Sequence, residues 1–200
     1  FPGRMRGQWD KTPQETSRSG TLTLSIDESF KPVIDSQIKV FQASNPDIKI
    51  IAKYEPEAQC LRDFTTDSTR MIIVTRGLSP EEEKFYSDSF HLRPSFMAVA
   101  YDAVAIIVNN RAKDSVFEIQ DLQHMLDGTD TVHIPVMDGK SATSTVRYAM
   151  DSILKGKPLS KRVTAAKNSE EVIDYVSQNP HAVGFVGVNW IGEGEANDNL

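Results

Sequence analysis

The sequence predicts an α/β fold in two lobes, each built on a mainly parallel sheet flanked by helices. Three observations carry this expectation. From residue 21 onward, segments whose apolar residues recur every second position alternate with segments of helical spacing, the pattern of βαβ units. Turn and breaker residues such as Asn45-Pro46-Asp47, Asp127-Gly128 and Lys155-Gly156 separate them, as strand and helix ends require. An extended apolar stretch over 99–110 divides the alternation in two, as a connector between lobes would.

Residues 1–20 are polar, hold three glycines and keep no apolar period, so they are expected to be a leader or tether outside the fold. The first residue is Phe1 rather than Met, which fits either a chain numbered after removal of an export signal or one that starts at an arbitrary boundary. Residues 21–26 (TLTLSI) alternate polar and apolar side chains and predict the first strand. After a loop, Val33, Ile34, Ile38, Val40 and Phe41 mark a helix over 33–44, ended by Asn45-Pro46. Residues 48–54 (IKIIAKY) read as a second strand, 57–64 as a poorly patterned helix and 71–74 (MIIV) as a buried third strand. Ser79-Pro80-Glu81-Glu82 opens another helix, with Ser at the cap and Pro in the first turn.

Apolar runs over 96–100 and 104–109 flank Tyr101-Asp102. The second half adds a helix over 118–126, a strand over 133–137, helices over 143–154 and 169–177, and a last strand over 183–188. The first lobe is therefore placed at 21–100 and the second at 101–191, with 192–200 a tail or the start of a return crossover. No repeat of 20–50 residues is visible. Ligands of such sheets sit beyond the carboxyl ends of the strands.

Composition narrows the function. Of 200 residues, 39% are hydrophobic and 25% charged, ordinary values for a globular chain. No run approaches the roughly 20 apolar residues of a membrane-spanning helix. The net charge of −6 argues against a broad nucleic-acid footprint while leaving room for a local positive pocket. One cysteine, Cys60, forbids an intrachain disulfide and a thiolate metal cluster.

The densest candidate site is 138–148, DGKSATSTVRY. Directly after a strand it sets Ser141, Thr143, Ser144 and Thr145 at the start of a helix. The first helical turn has unpaired N–H groups and partial positive charge, and hydroxyls beside it add donors for oxygen atoms, so the arrangement suits an anion. The competing explanation is a helix cap, for which Ser and Thr are also favoured. It is not a P-loop, because the GxxxxGK(S/T) order is absent.

A second candidate, Asp27-Glu28-Ser29-Phe30, lies between the first strand and helix, with Ser29 either a ligand donor or a cap. A third is Thr75-Arg76-Gly77 after the MIIV strand. Arg76 suits bidentate recognition of an oxyanion, or alternatively an ion pair with a surface carboxylate.

Enzyme signatures are missing. The four histidines lack metal-ligand spacing, and no GxSxG, HExxH or GxGxxG motif occurs. Cys60 has no identifiable base beside it in the sequence, and Glu81–Glu83 suit a helix N-terminus. No catalytic residue, metal or cofactor is expected. Trp9 and Trp190 form no cluster with basic residues, and no nucleic-acid partner is expected.

The chain resembles the phosphate-binding periplasmic proteins of bacterial ABC importers, which have the type II periplasmic-binding-protein fold. The resemblance runs from about residue 20 to 191. It is carried by DESFKPVIDSQIKVFQASNP, IIVTRGLSPEEEKFY, AVAYDAVAIIVNN, FEIQDLQHMLDG, SATSTVRYAMDSIL and NPHAVGFVGVNWIG.

The resemblance implies a bilobal clamshell holding phosphate or a related tetrahedral oxyanion between its lobes. Its ligand set would be Ser29 and Phe30 with Thr75 and Arg76 from the first lobe, and Ser141, Ala142 (through its N–H), Thr143 and Ser144 from the second. It also implies an ABC permease in the inner membrane as partner, a monomer, and a periplasmic or lipid-anchored extracytoplasmic location. The alternative is a sensor or surface protein on the same fold with an altered site.

The sequence departs from the family pattern at several points. Ala142 stands where Gly is usual, Met137 where an arginine is common, and Arg76 where an aspartate accepts the ligand proton. Glu55 and Glu57 lie where a second-loop serine is sought, and Arg147 ranks behind Arg76 as a cation because its helical position points it away. The family usually continues past the late strand to complete the first lobe, so that lobe is expected to depend on residues beyond Leu200 or on a partner.

Overall fold

A computed structural model of the chain describes residues 19–66, 68–91 and 93–191. The expected tail 192–200, and all of the leader but residues 19 and 20, lie outside them, as does Trp9.

The first sheet has three parallel strands in the order β2-β1-β3: β1 (Gly20–Asp27), β2 (Ile48–Glu55) and β3 (Met71–Ile73). β1 is central, so its Leu24 and Ile26 are buried. α1 (Lys31–Ser44) follows a short 3₁₀ turn over Glu28–Phe30 and ends at Asn45 before Pro46. α2 (Glu57–Asp63) starts after Pro56. α3 (Pro80–Phe90) has the expected start: Ser79 Oγ accepts the Glu82 N–H, and the Glu82 carboxylate accepts the Ser79 N–H at 2.8 Å, satisfying two N–H groups reciprocally.

The second sheet has four strands in the order β4-β7-β5-β6: β4 (Val104–Val108), β5 (Ile134–Met137), β6 (Thr164–Ala165) and β7 (Ala182–Gly187). β5 pairs in parallel with β6 and β7, whereas β4 runs antiparallel to β7. α4 (Ile119–Asp127), α5 (Ser144–Tyr148, prolonged by a π turn over Ala149–Ile153) and α6 (Ser169–Gln178) flank it. Every residue of β7 is buried, as a strand covered on both faces requires. Phe185, Met137, Val146 and Leu126 fill one face of the sheet, and Val136, Val172, Val176 and Val186 the other.

The stretch expected to be a connector over 99–110 divides. Residues 93–103 form no helix or strand, with Met97 and Val99 more than three-quarters exposed, but 104–108 is β4 and belongs to the second sheet. Its antiparallel pairing with β7 is what that apolar run serves.

Candidate functional site

The two sheets meet at the carboxyl ends of β1 and β5. β1 ends at Asp27, whose carboxylate accepts the Ser29 N–H at 3.0 Å and fixes the 3₁₀ turn that follows. That turn buries Ser29. From the other sheet, β5 ends at Met137 and the loop over 138–143 leads into α5, where Ser144 is also buried. The hydroxyls of Ser29 and Ser144 lie 3.1 Å apart and bond each other. Gly187, at the end of β7, backs this junction: a Cβ there would stand 3.3 Å from the Ser29 Cβ, closer than an ordinary contact.

Further bonds join the halves. The Ser169 N–H donates to Glu28 at 2.8 Å, and the Ala58 N–H to the Ala142 carbonyl at 3.2 Å. Arg147 donates from Nε to Glu57 at 2.7 Å and from its terminal nitrogen to Thr75 Oγ1 at 2.6 Å. Thr75 in turn donates to the same Glu57 carboxylate at 2.5 Å. The result is a guanidinium, a hydroxyl and a buried carboxylate closed into one ring across the junction.

Of the expected ligand residues, Ser29, Thr143 and Ser144 are buried at this junction, Thr75 belongs to the Arg147 ring, and Ser141 and Ala142 are exposed beside it. Thr143 Oγ1 caps α5 by accepting the Val146 N–H at 3.3 Å and gives its only proton to Asp138 at 2.8 Å. Phe30 is half-buried. Arg76 is held in bidentate fashion by Glu82 at 2.6 and 2.8 Å, the surface-carboxylate alternative, and this pair draws Glu82 down to about 2. Arg147 does reach the junction, through Glu57 and Thr75. The helical position that argued against it is reconciled by the length of its side chain, which spans to Glu57.

The junction is acidic as well as hydroxyl-rich, and it buries the Asp27 and Asp138 that the two candidate loops contain. Burial pushes Asp27 up to about 6, against the opposing Ser29 N–H; the Ser29 and Ser144 hydroxyls also oppose the rise, although Asp27 Oδ2 has no hydrogen-bond partner among the described residues. Burial likewise raises Asp138 to about 7, helped by the charges of Glu28 and Asp27 and resisted by Thr143 and Thr145. Glu57 behaves oppositely. Its burial acts upward, but the bonds from Arg147 and Thr75 together hold it below the usual carboxylate range. Cys60 is buried and pushed up to about 12 chiefly by that burial, which suppresses the thiolate. Among the described residues no group of three or more His, Cys, Asp and Glu is placed to hold a metal ion, and no helix is long and apolar enough to cross a membrane.

The family model describing the PBP superfamily domain matches residues 11–198. The chain belongs to the PBP superfamily. Solved structures share this fold at low identity. A Clostridium perfringens protein described as a phosphate ABC transporter substrate-binding protein, with bound phosphate, aligns at TM-score 0.70 and 16% identity over 84% of this chain and 70% of that one. An ABC-type phosphate transport receptor from Vibrio cholerae aligns at TM-score 0.58 and 15% identity over 87% and 74%. The sulfate-bound regulatory domain of an OxyR2 E204G mutant from Vibrio vulnificus aligns at TM-score 0.64 and 11% identity over 92% and 79%. No curated protein sequence matches the chain. The PBP fold thus serves both transport receptors and regulatory domains among these neighbours, and it is a fold of binding proteins.

Proposed function

We propose that this PBP-superfamily chain is an extracytoplasmic solute-binding protein that captures phosphate or a similar tetrahedral oxyanion for an ABC importer, without transforming it. The observation that carries this reading is the meeting of Ser29 and Ser144 hydroxyls, one from each sheet, at 3.1 Å. Two hydroxyls that bond each other can each turn to an anion oxygen placed between them, so a ligand there links the halves and favours the closed form. An inner-membrane permease, a monomeric state and a periplasmic or lipid-anchored location complete the proposal.

Calorimetric titration with phosphate, arsenate, sulfate and molybdate tests it. Binding of at least one with a Kd below about 1 mM is expected; heat-silent titrations with all four would refute it.

A second reading, a sensor on the same fold, is favoured by one observation. Glu57 already holds Arg147, so an incoming anion must compete with a resident carboxylate, as suits a weaker, regulated site. Affinity in the upper micromolar range together with loss of that ion pair on binding would distinguish it.

A further inference from the structure

We infer that the junction is a proton-dependent latch: Asp138 of the second half meets Asp27 and Glu28 of the first, and the halves part when these carboxyls are ionised. The latch is a property of the chain without ligand. Its functional consequence rests on the oxyanion reading above, since Ser29 and Ser144 form one site only while the halves are joined.

The fold brings the three carboxyls together from opposite sides. Asp27 ends β1 and Glu28 follows it, whereas Asp138 follows β5. Asp27 and Asp138 are 2% and 3% exposed. They flank the contact of the Ser29 and Ser144 hydroxyls: Asp27 accepts the Ser29 N–H, and Asp138 accepts from Thr143, the neighbour of Ser144, at 2.8 Å. Glu28 crosses to accept the Ser169 N–H at the start of α6. These bonds all come from neutral donors, and among the described residues no lysine or arginine bonds any of the three carboxylates. Asp27 Oδ2 is buried with no hydrogen-bond partner among the described residues. Buried carboxylates without a cation are costly, and a proton removes the cost.

The surrounding charged groups do not supply that cation. Glu57 and Cys60 of α2 act on or feel Asp27. Burial acts upward on Glu57, but Arg147 and Thr75 hold it below the usual carboxylate range, so its ion pair with Arg147 persists. Burial pushes the Cys60 thiol up to about 12, which keeps it neutral. Arg76, which also acts on Glu57, is engaged by Glu82. Glu170 of α6 adds negative charge beside Glu28. Lys31 and Lys167 line the neighbouring cleft with Glu28, but Lys31 is paired with Asp35 and Lys167 is exposed.

The direction of the effect follows. Parted, Asp27 and Asp138 face water as ordinary aspartates near ~3.9. Joined, burial lifts them to about 6 and about 7, and the charges of Glu28 and Asp27 add to the rise at Asp138 from across the junction. The joined form therefore keeps protons that the parted form releases. Its advantage is fullest below pH ~4 and is lost as pH climbs through about 6 and 7. Each unit by which joining lifts one carboxyl changes the ratio of joined to parted chain about tenfold, and hinged separation of two lobes is the motion that expresses it.

Small-angle X-ray scattering of the ligand-free chain at pH 5 and pH 8, with far-UV circular dichroism alongside, tests the latch on the native chain, Asp27→Asn and Asp138→Asn. In Asp27→Asn the amide oxygen still accepts the Ser29 N–H and the NH₂ group replaces the unpartnered Oδ2, so the fold is kept; it decides the matter if Asp138→Asn folds poorly. Expected is a radius of gyration that rises from pH 5 to pH 8 in the native chain with an unchanged dichroism spectrum, and a smaller rise or none in each folded variant. An equal radius at both pH values in the native chain overturns the inference. So does a rise as large in the folded variants as in the native chain, or a rise that comes with loss of helical signal. Because no ligand is present, these outcomes are independent of whether an oxyanion binds.

Discussion

Replacing Arg147 with Met isolates the ring that joins the two sheets. The substitution keeps the apolar stem and removes the guanidinium, leaving the Glu57 carboxylate, 4% exposed, with only the Thr75 hydroxyl at 2.5 Å and N–H at 3.3 Å. Stripping one partner from a buried ion pair costs about 3–5 kcal/mol. Arg147 is itself about a third exposed, so solvent already screens part of the interaction, and the Thr75 bonds persist. A loss of about 2–3 kcal/mol at pH 7.5 follows.

The pH dependence of that loss has a definite sign. In the native chain Glu57 is held low, so its stabilisation is complete above an unfolded glutamate's ~4.3 and does not change between pH 5 and 8. Without Arg147 the burial effect dominates and raises the carboxyl. The folded variant then takes up a proton more readily than its unfolded form, and its deficit shrinks as pH falls from 7.5 to 5. Urea unfolding followed by circular dichroism at both pH values measures this. A loss below about 1 kcal/mol at pH 7.5, or a deficit that does not shrink at pH 5, would refute the reasoning. A Glu57→Leu, Arg147→Met double variant is expected to recover part of the loss, since no charge is then left buried.

Other outcomes follow from the same junction. Asp27 and Asp138 are raised by burial to about 6 and about 7, above an unfolded aspartate's ~3.9, so the folded chain binds more protons across that interval and Tm should fall as pH rises from about 4.5 to 7.5. Scanning calorimetry checks this, and Asp138→Asn should flatten the slope; a Tm that rises over the interval contradicts it. Gly184→Ala would bring a Cβ to 2.7 Å from Ile107 and 2.8 Å from Val176, an overpacking worth about 1–3 kcal/mol in urea unfolding. Gly187→Ala, at 3.3 Å from the Ser29 Cβ, is expected to shift Ser29 by a few tenths of an ångström and weaken oxyanion binding severalfold with little change in Tm.

The parts that could be read in the sequence were those whose signal is local. β1, β2 and β7 announced themselves by side-chain pattern, and α3 by Ser79-Pro80 and Glu82. β6 has two residues and is defined only by its register with β5, so no periodicity marks it. β4 resembled a connector because antiparallel pairing with partners 75 to 83 residues later leaves no trace in its own composition.

The site divides in the same way. Ser29 and the 141–144 hydroxyls were visible because each group is contiguous. The pairing of Glu57 with Arg147 joins residues 90 positions apart, and a helical spacing argument misjudged how far an arginine reaches. Asp27 and Asp138 stood in both candidate loops, but their influence comes from burial, which only the junction of the sheets creates.

The capture of an oxyanion between the two hydroxyls is tested most directly by titrating phosphate into the native chain and into Ser29→Ala at pH 7. The native chain should bind with Kd below about 1 mM, and the variant about 5- to 100-fold more weakly, the equivalent of about 1–3 kcal/mol for one lost donor to a buried charge. Equal affinity in the two, or no binding by the native chain, would contradict it.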